Sequence, residues 1–115
     1  MAQQKLPSAY RQFASEQPRI LKAYETLGDA CLTEGPLDRK TAELVKIGLA
    51  VGAKLDGAIH SHVRRASEAG AAPDEIRHAI RLALTTLGFP TMMKALSLAN
   101  DILSPTAGSS GHGSR

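Results

Sequence analysis

An all-α fold follows from three features of the 115-residue sequence. Apolar residues recur at spacings of three and four along most of the chain, the period of a helix with one face turned inward. No stretch alternates apolar and polar residues as a half-buried strand does. Gly and Pro gather at a few points between the periodic runs, where they end one helix and open the next. The pattern predicts a bundle of about six helices in a single domain over residues 8–104. A flexible lead-in is expected at 1–7. The Gly/Ser-rich, aperiodic residues 105–115 read as a disordered tail.

Composition narrows both the core and the partners. Hydrophobic residues make up 43% of the chain and aromatics 3%, with no Trp. The core is therefore Leu, Ile, Val, Ala and Met, and its many small side chains bury little area each. A chain of this length leaves much apolar surface uncovered, so part of the core is expected to be shared with partner subunits. The net charge is +3. The basic residues are scattered, without the basic stripe and interleaved aromatics of a nucleic-acid binder. The single cysteine, Cys31, excludes an intramolecular disulfide and any C-x-x-C redox or zinc motif. The opening MAQQKLPSAYRQ lacks the apolar core of a signal peptide. No apolar run approaches the ~18 residues of a membrane span, and the cytoplasm is the expected compartment.

The helices are read in order. Ser8 to Gln17 forms a short first helix with Tyr10, Phe13 and Ala14 on one side and Ser8 as its cap. Pro18 breaks it or opens the second helix, Arg19 to Thr33, whose arc is Ile20, Ala23, Tyr24, Leu27 and Cys31. On that arc Cys31 reads as a small core residue. Gly35 fits a helix C′ position, Pro36 stops the helix, and Asp38 caps the third, Arg39 to Ala53. Leu44, Ile47 and Val51 make its seam. Val45 and Leu49 widen it, so this helix is expected to be buried on more than one side. Gly48 and Gly52, four apart, have the spacing of close helix packing.

Asp56 is expected to cap the fourth helix, Gly57 to Ala69, with Ile59, His62, Val63 and Ala66 on one face and Gly70 closing it. Pro73 opens the fifth, with Asp74 and Glu75 at the positive end of its dipole. Its stripe runs Ile76, Ala79, Ile80, Ala83, Leu84, Leu87. After Gly88-Phe89-Pro90, which reads as a helix–helix turn and a candidate pocket wall, the sixth helix runs from Thr91 to Leu103.

One acid–histidine pair stands out. His62 lies on the apolar face of its helix, where burial favours a neutral, proton-accepting imidazole. Glu43 lies one turn before Ile47 and two before Val51, beside the buried seam, and a carboxylate there needs a partner. Together they read as a proton relay, with a buried structural pair, or a Glu43 reaching Lys46 or Lys40 at the surface, as the alternatives. His60 is two residues from His62, and positions i and i+2 of a helix do not face each other, so a metal site is not expected. His78 reads as solvated and His112 as part of the tail. No phosphate loop and no Ser–His–Asp set can be placed, and no cofactor is expected.

From Asp38 to Gly88 the sequence resembles the carboxymuconolactone decarboxylase family, which includes the alkylhydroperoxidase D proteins. The resemblance rests on the small-residue helix after Leu37-Asp38-Arg39-Lys40, on His62, Ala66 and Gly70 as H-x-x-x-A-x-x-x-G, and on the Pro73-Asp74-Glu75-Ile76 helix start. It implies an alkylhydroperoxidase D-like helical bundle assembled as a homotrimer or homohexamer, with active sites near subunit contacts. The alkylhydroperoxidase branch uses a Glu, a C-x-x-C and a His four residues later. Glu43 falls at the first position and His62 at the last. Leu55 and Ala58 stand where the cysteines would, and Gly57 stands where that branch has a further histidine. Without a thiolate there is no nucleophile for a peroxide, so peroxiredoxin-type activity is disfavoured.

The resemblance then implies the decarboxylase-like branch, a carboxy-lyase or isomerase acting on a small carboxylated lactone, with Glu43 and His62 as its acid–base pair. Lys46, Lys54, Arg64 and Arg81 are the candidates for holding a substrate carboxylate. A non-catalytic oligomeric member with a structural Glu–His pair is the other expectation.

Overall fold

The computed structural model describes residues 7–104, and all regular structure there is helical. Seven helices follow one another: α1 (Ser8–Glu16), α2 (Pro18–Thr33), α3 (Arg39–Ala53), α4 (Asp56–Glu68), α5 (Pro73–Arg81), α6 (Leu84–Leu87) and α7 (Phe89–Leu103). The expectations for residues 1–6 and 105–115, His112 included, lie outside the described residues. The chain divides into two compact units after Pro36.

The first unit pairs α1 with α2 across Gln17, and neither helix buries a residue. Its apolar arc is therefore not a core. Ile20, Tyr24 and Leu27 are 55%, 69% and 60% exposed, and Cys31 is an exposed free thiol rather than a small core residue. Two helices of this length cannot enclose their own apolar faces. The cap of α1 is Pro7, not Ser8, with no side-chain bond. The helix α2 ends on Glu34 without a left-handed residue, so Gly35 is not the C′ glycine expected.

The second unit holds the core. Ile47 and Val51 from α3, Ile59, Val63 and Ala66 from α4, Ile76 and Ile80 from α5, and Met92, Ala95 and Ala99 from α7 form one buried cluster. Local chemistry sets where each helix begins. Asp38 Oδ1 accepts from the Thr41 N–H at 2.8 Å and caps α3 as expected. Its hydrogen bonds with Thr41, side chain first and backbone second, hold its carboxyl below the usual value. At α5, Pro73 takes the first turn, and Glu75 Oε1 accepts from the Ala72 N–H at 2.8 Å. Glu75 Oε2 meets Lys40 Nζ at 3.0 Å, tying α5 to α3.

The ends of α3 and α4 are built alike. Leu55 N–H bonds to the Ala50 carbonyl and Lys54 N–H to that of Val51, both at 3.0 Å. After α4, Ala71 N–H bonds to Ala66 and Gly70 N–H to Ser67, at 2.9 and 3.0 Å. Both are Schellman closures with a left-handed residue at C′. In α4 that residue is Gly70, at φ 99°, as expected; in α3 it is Lys54, at φ 60°. A lysine there carries the steric strain that glycine avoids.

Four expectations need correction. Leu55 rather than Asp56 is the N-cap of α4; Asp56 is its first helical residue and faces Lys94 at 3.3 Å. The long fifth helix is two, α5 and α6, because at Leu82–Ala83 the turn tightens, the Ala83 N–H bonding to the Ile80 carbonyl three residues back at 2.9 Å. On α3, Val45 and Leu49 are 48% and 65% exposed, so that helix is buried on one side only within the chain. A Cβ at Gly48 or Gly57 would meet nothing within 4 Å, and one at Gly52 would touch only Leu87 at 3.9 Å. These glycines therefore do not mark a close approach of helix backbones.

Candidate active site

Helices α3 and α4 pack antiparallel around the Lys54–Leu55 corner. That packing brings Glu43, in the second turn of α3, beside His62, at the middle of α4. His62 Nδ1 lies 2.9 Å from Glu43 Oε1. The Glu43 side chain is fully buried and that of His62 is 17% exposed. With Glu43 ionised its carboxylate can only accept, so Nδ1–H would be the donor and Nε2 the proton-accepting nitrogen of a neutral ring.

Among the described residues Nε2 has no hydrogen-bond partner. The sole buried side-chain N or O atom lacking a partner among the described residues is Glu43 Oε2, so Nε2 keeps contact with solvent. The arrangement is thus a buried acid, an oriented imidazole and a reactive nitrogen at the surface. It can accept and return one proton. Leu55 is 54% exposed, and Ala58 is half-buried one turn before His62. Neither of the two positions that the resemblance aligns with cysteines carries sulfur.

The two expected residues are brought together, and the other candidates are not. His60 pairs instead with Asp101, Nε2 to Oδ2 at 2.9 Å, across α4 and α7. His78 is exposed, as expected. No group of three or more His, Cys, Asp or Glu able to hold a metal occurs among the described residues. Of the candidate cations, Lys46 and Arg64 are half-buried and Lys54 and Arg81 exposed.

Two hollows mark the second unit. The larger, about 540 Å³, lies between α3, α5 and α6 against Val45, Gly48, Leu82 and Leu87. The smaller, about 280 Å³, is lined by Lys54, Asp56, Pro90 and Lys94 among others. Pro90 is thus a pocket wall, as the Gly88-Phe89-Pro90 break suggested, while Met92 is core and Met93 is 44% exposed. Neither hollow includes Glu43 or His62. Sequence reasoning missed Lys94; its place one turn after Pro90 and Thr91 was the available signal.

An all-α unit with an oriented Glu–His pair and no adjacent thiol defines the class of protein. The pattern of the carboxymuconolactone decarboxylase family matches residues 18–101, and the chain belongs to that family. Its fold is also that of an apo crystal structure of a carboxymuconolactone decarboxylase family protein from Legionella pneumophila. The TM-score is 0.72 and the identity 26%, over 85% of this chain and 87% of that one. Over 58 residues the chain is 32% identical to an uncharacterized protein of Haemophilus influenzae. That match covers 50% of this chain and 51% of the relative, so the chain spans about half of that protein's length. Among the described residues no helix is long and apolar enough to cross a membrane.

Proposed function

We propose that the protein performs acid–base chemistry, decarboxylation or isomerisation, on a small carboxylated lactone, with His62 as the proton carrier and Glu43 as its partner. The supporting observation is the 2.9 Å contact between His62 Nδ1 and a fully buried Glu43, with Nε2 left without a hydrogen-bond partner among the described residues. In a decarboxylation the C–CO2 bond breaks and its electron pair passes into the conjugated lactone. Protonated His62 then gives the proton on Nε2 to the carbanion carbon, and solvent restores it. Glu43 stabilises the imidazolium through Nδ1. The family membership supports the reaction class. The lone Cys31 leaves no dithiol for a peroxidase cycle.

Self-association belongs to this reading, as a homotrimer or homohexamer in the cytoplasm. Leu49, Leu82 and Phe89 are 65%, 63% and 59% exposed, surface that a partner copy would cover. Neither of the two hollows reaches His62, and in this reading a second copy supplies walls there. The same observation favours the second reading, a non-catalytic oligomer in which the pair is structural.

The test is turnover of carboxymuconolactone and related carboxylated lactones by the full chain, read as CO2 release, with His62→Asn and Glu43→Gln beside it. Turnover that falls about 100-fold in His62→Asn supports the proposal. If no lactone is consumed and none moves the His62 ring resonances in NMR, the pair is structural.

A further inference from the structure

The smaller hollow has a chemistry of its own, separate from the Glu43–His62 pair. Its floor is apolar: Val51, Ile59 and Ala95 line it and are 1%, 3% and 1% exposed. Its charged lining is Lys54 from the end of α3, Lys94 from α7 and one acid, Asp56, a net positive set. Lys94 Nζ forms an ion pair with Asp56 Oδ2 at 3.3 Å, and an ammonium has three N–H donors. Lys54 makes no ion pair among the described residues. Thr91, in the first turn of α7, brings a hydroxyl and the positive end of a helix dipole to the same wall.

The Schellman closure of α3 fixes the root of the Lys54 side chain at this hollow. Lys54 sits at φ 60°, ψ 42°, where glycine is the unstrained choice, as at Gly70. Non-glycine residues held in this region cluster at ligand sites, and here the strained residue is the one whose side chain lines the hollow.

We propose that this hollow binds a small monocarboxylate with a compact hydrocarbon body. The carboxylate bridges Lys54 and Lys94, and the body lies on Val51, Ile59 and Ala95. A volume of about 280 Å³ falls just below the ~300 Å³ lower end for small-molecule sites, which limits the ligand to one ring or a short chain. The apolar floor selects against a bare inorganic anion, which cannot cover it. The proposal does not depend on His62 being catalytic.

The test is an NMR titration of the full chain with benzoate, with benzamide and inorganic phosphate as the neutral and all-polar probes. Benzoate is expected to shift the amides of Ile59, Thr91 and Ala95 saturably, and both other probes to bind at least about tenfold more weakly. Lys54→Gly removes the ammonium while relieving the backbone, so its fold is secure. It and Lys94→Gln should each weaken benzoate about tenfold. The proposal is overturned if benzoate shifts none of these amides, if benzamide or phosphate binds as well, or if Lys54→Gly leaves the affinity unchanged.

Discussion

Helix α4 carries two histidines, each 2.9 Å from a carboxylate of another helix, and the pairs differ in their surroundings. His60 and Asp101 are 35% and 57% exposed, whereas His62 and Glu43 are 17% and 0% exposed. Distance is thus shared, and burial decides what each pair does. The outer pair keeps its water, is screened by salt, and contributes about 0–1 kcal/mol. In the inner pair the acid has left water altogether, and one of its oxygens has no partner. Such a pair is costly to make and costly to break.

The largest expected effect comes from breaking the inner pair on one side. Glu43→Ala leaves the imidazole without its acceptor and opens a cavity, and should cost about 3–5 kcal/mol in urea denaturation. Glu43→Gln keeps an acceptor for Nδ1 and should cost about 1–2 kcal/mol. Next in size is the outer pair. Asp101→Ala should cost about 1 kcal/mol or less, and that cost should vanish in high salt. A cost for Asp101→Ala equal to that of Glu43→Ala would show that burial is not what separates the pairs.

The sequence revealed the inner pair because each member sits at helical spacing from apolar neighbours: Glu43 before Ile47 and Val51, His62 after Ile59 and beside Val63. The outer pair left no such trace. His60 and Asp101 are 41 residues apart, each on a polar face, and only the packing of α4 on α7 brings them together. Periodicity shows that a face is apolar but not which element covers it. For that reason Cys31, Val45 and Leu49 were expected in a core and lie at the surface of the chain. The division of α5 from α6 at Leu82–Ala83 has no Gly or Pro to announce it.

A third set of carboxylates sharpens the contrast, because it is exposed yet structurally engaged. Glu75 is held below the usual value first by the Ala72 N–H and then by Lys40; Asp38 is held low by Thr41. Groups lowered in the folded state stabilise it above their unfolded values, and that contribution is lost as pH falls through the lowered folded values. Stability should therefore decline as pH drops below about 4, and Glu75→Gln, which does not titrate, should flatten the decline. Equal acid profiles for wild type and Glu75→Gln would remove Glu75 from the account.

The smallest expected change in stability carries the sharpest decision. Replacing both members of a buried pair by apolar groups of similar volume is often neutral or stabilising. Glu43→Met with His62→Leu removes the desolvated acid and its unpartnered Oε2 together, and should shift stability by less than about 1 kcal/mol. If the pair exists to hold α3 against α4, the double variant should instead lose as much as Glu43→Ala alone. If the pair exists for proton transfer, the double variant stays folded, keeps the benzoate response at Lys54 and Lys94, and loses all action on lactones. A stable fold without the pair would mean that the buried acid beside His62 brings no gain in stability, and chemistry is then the use that accounts for it.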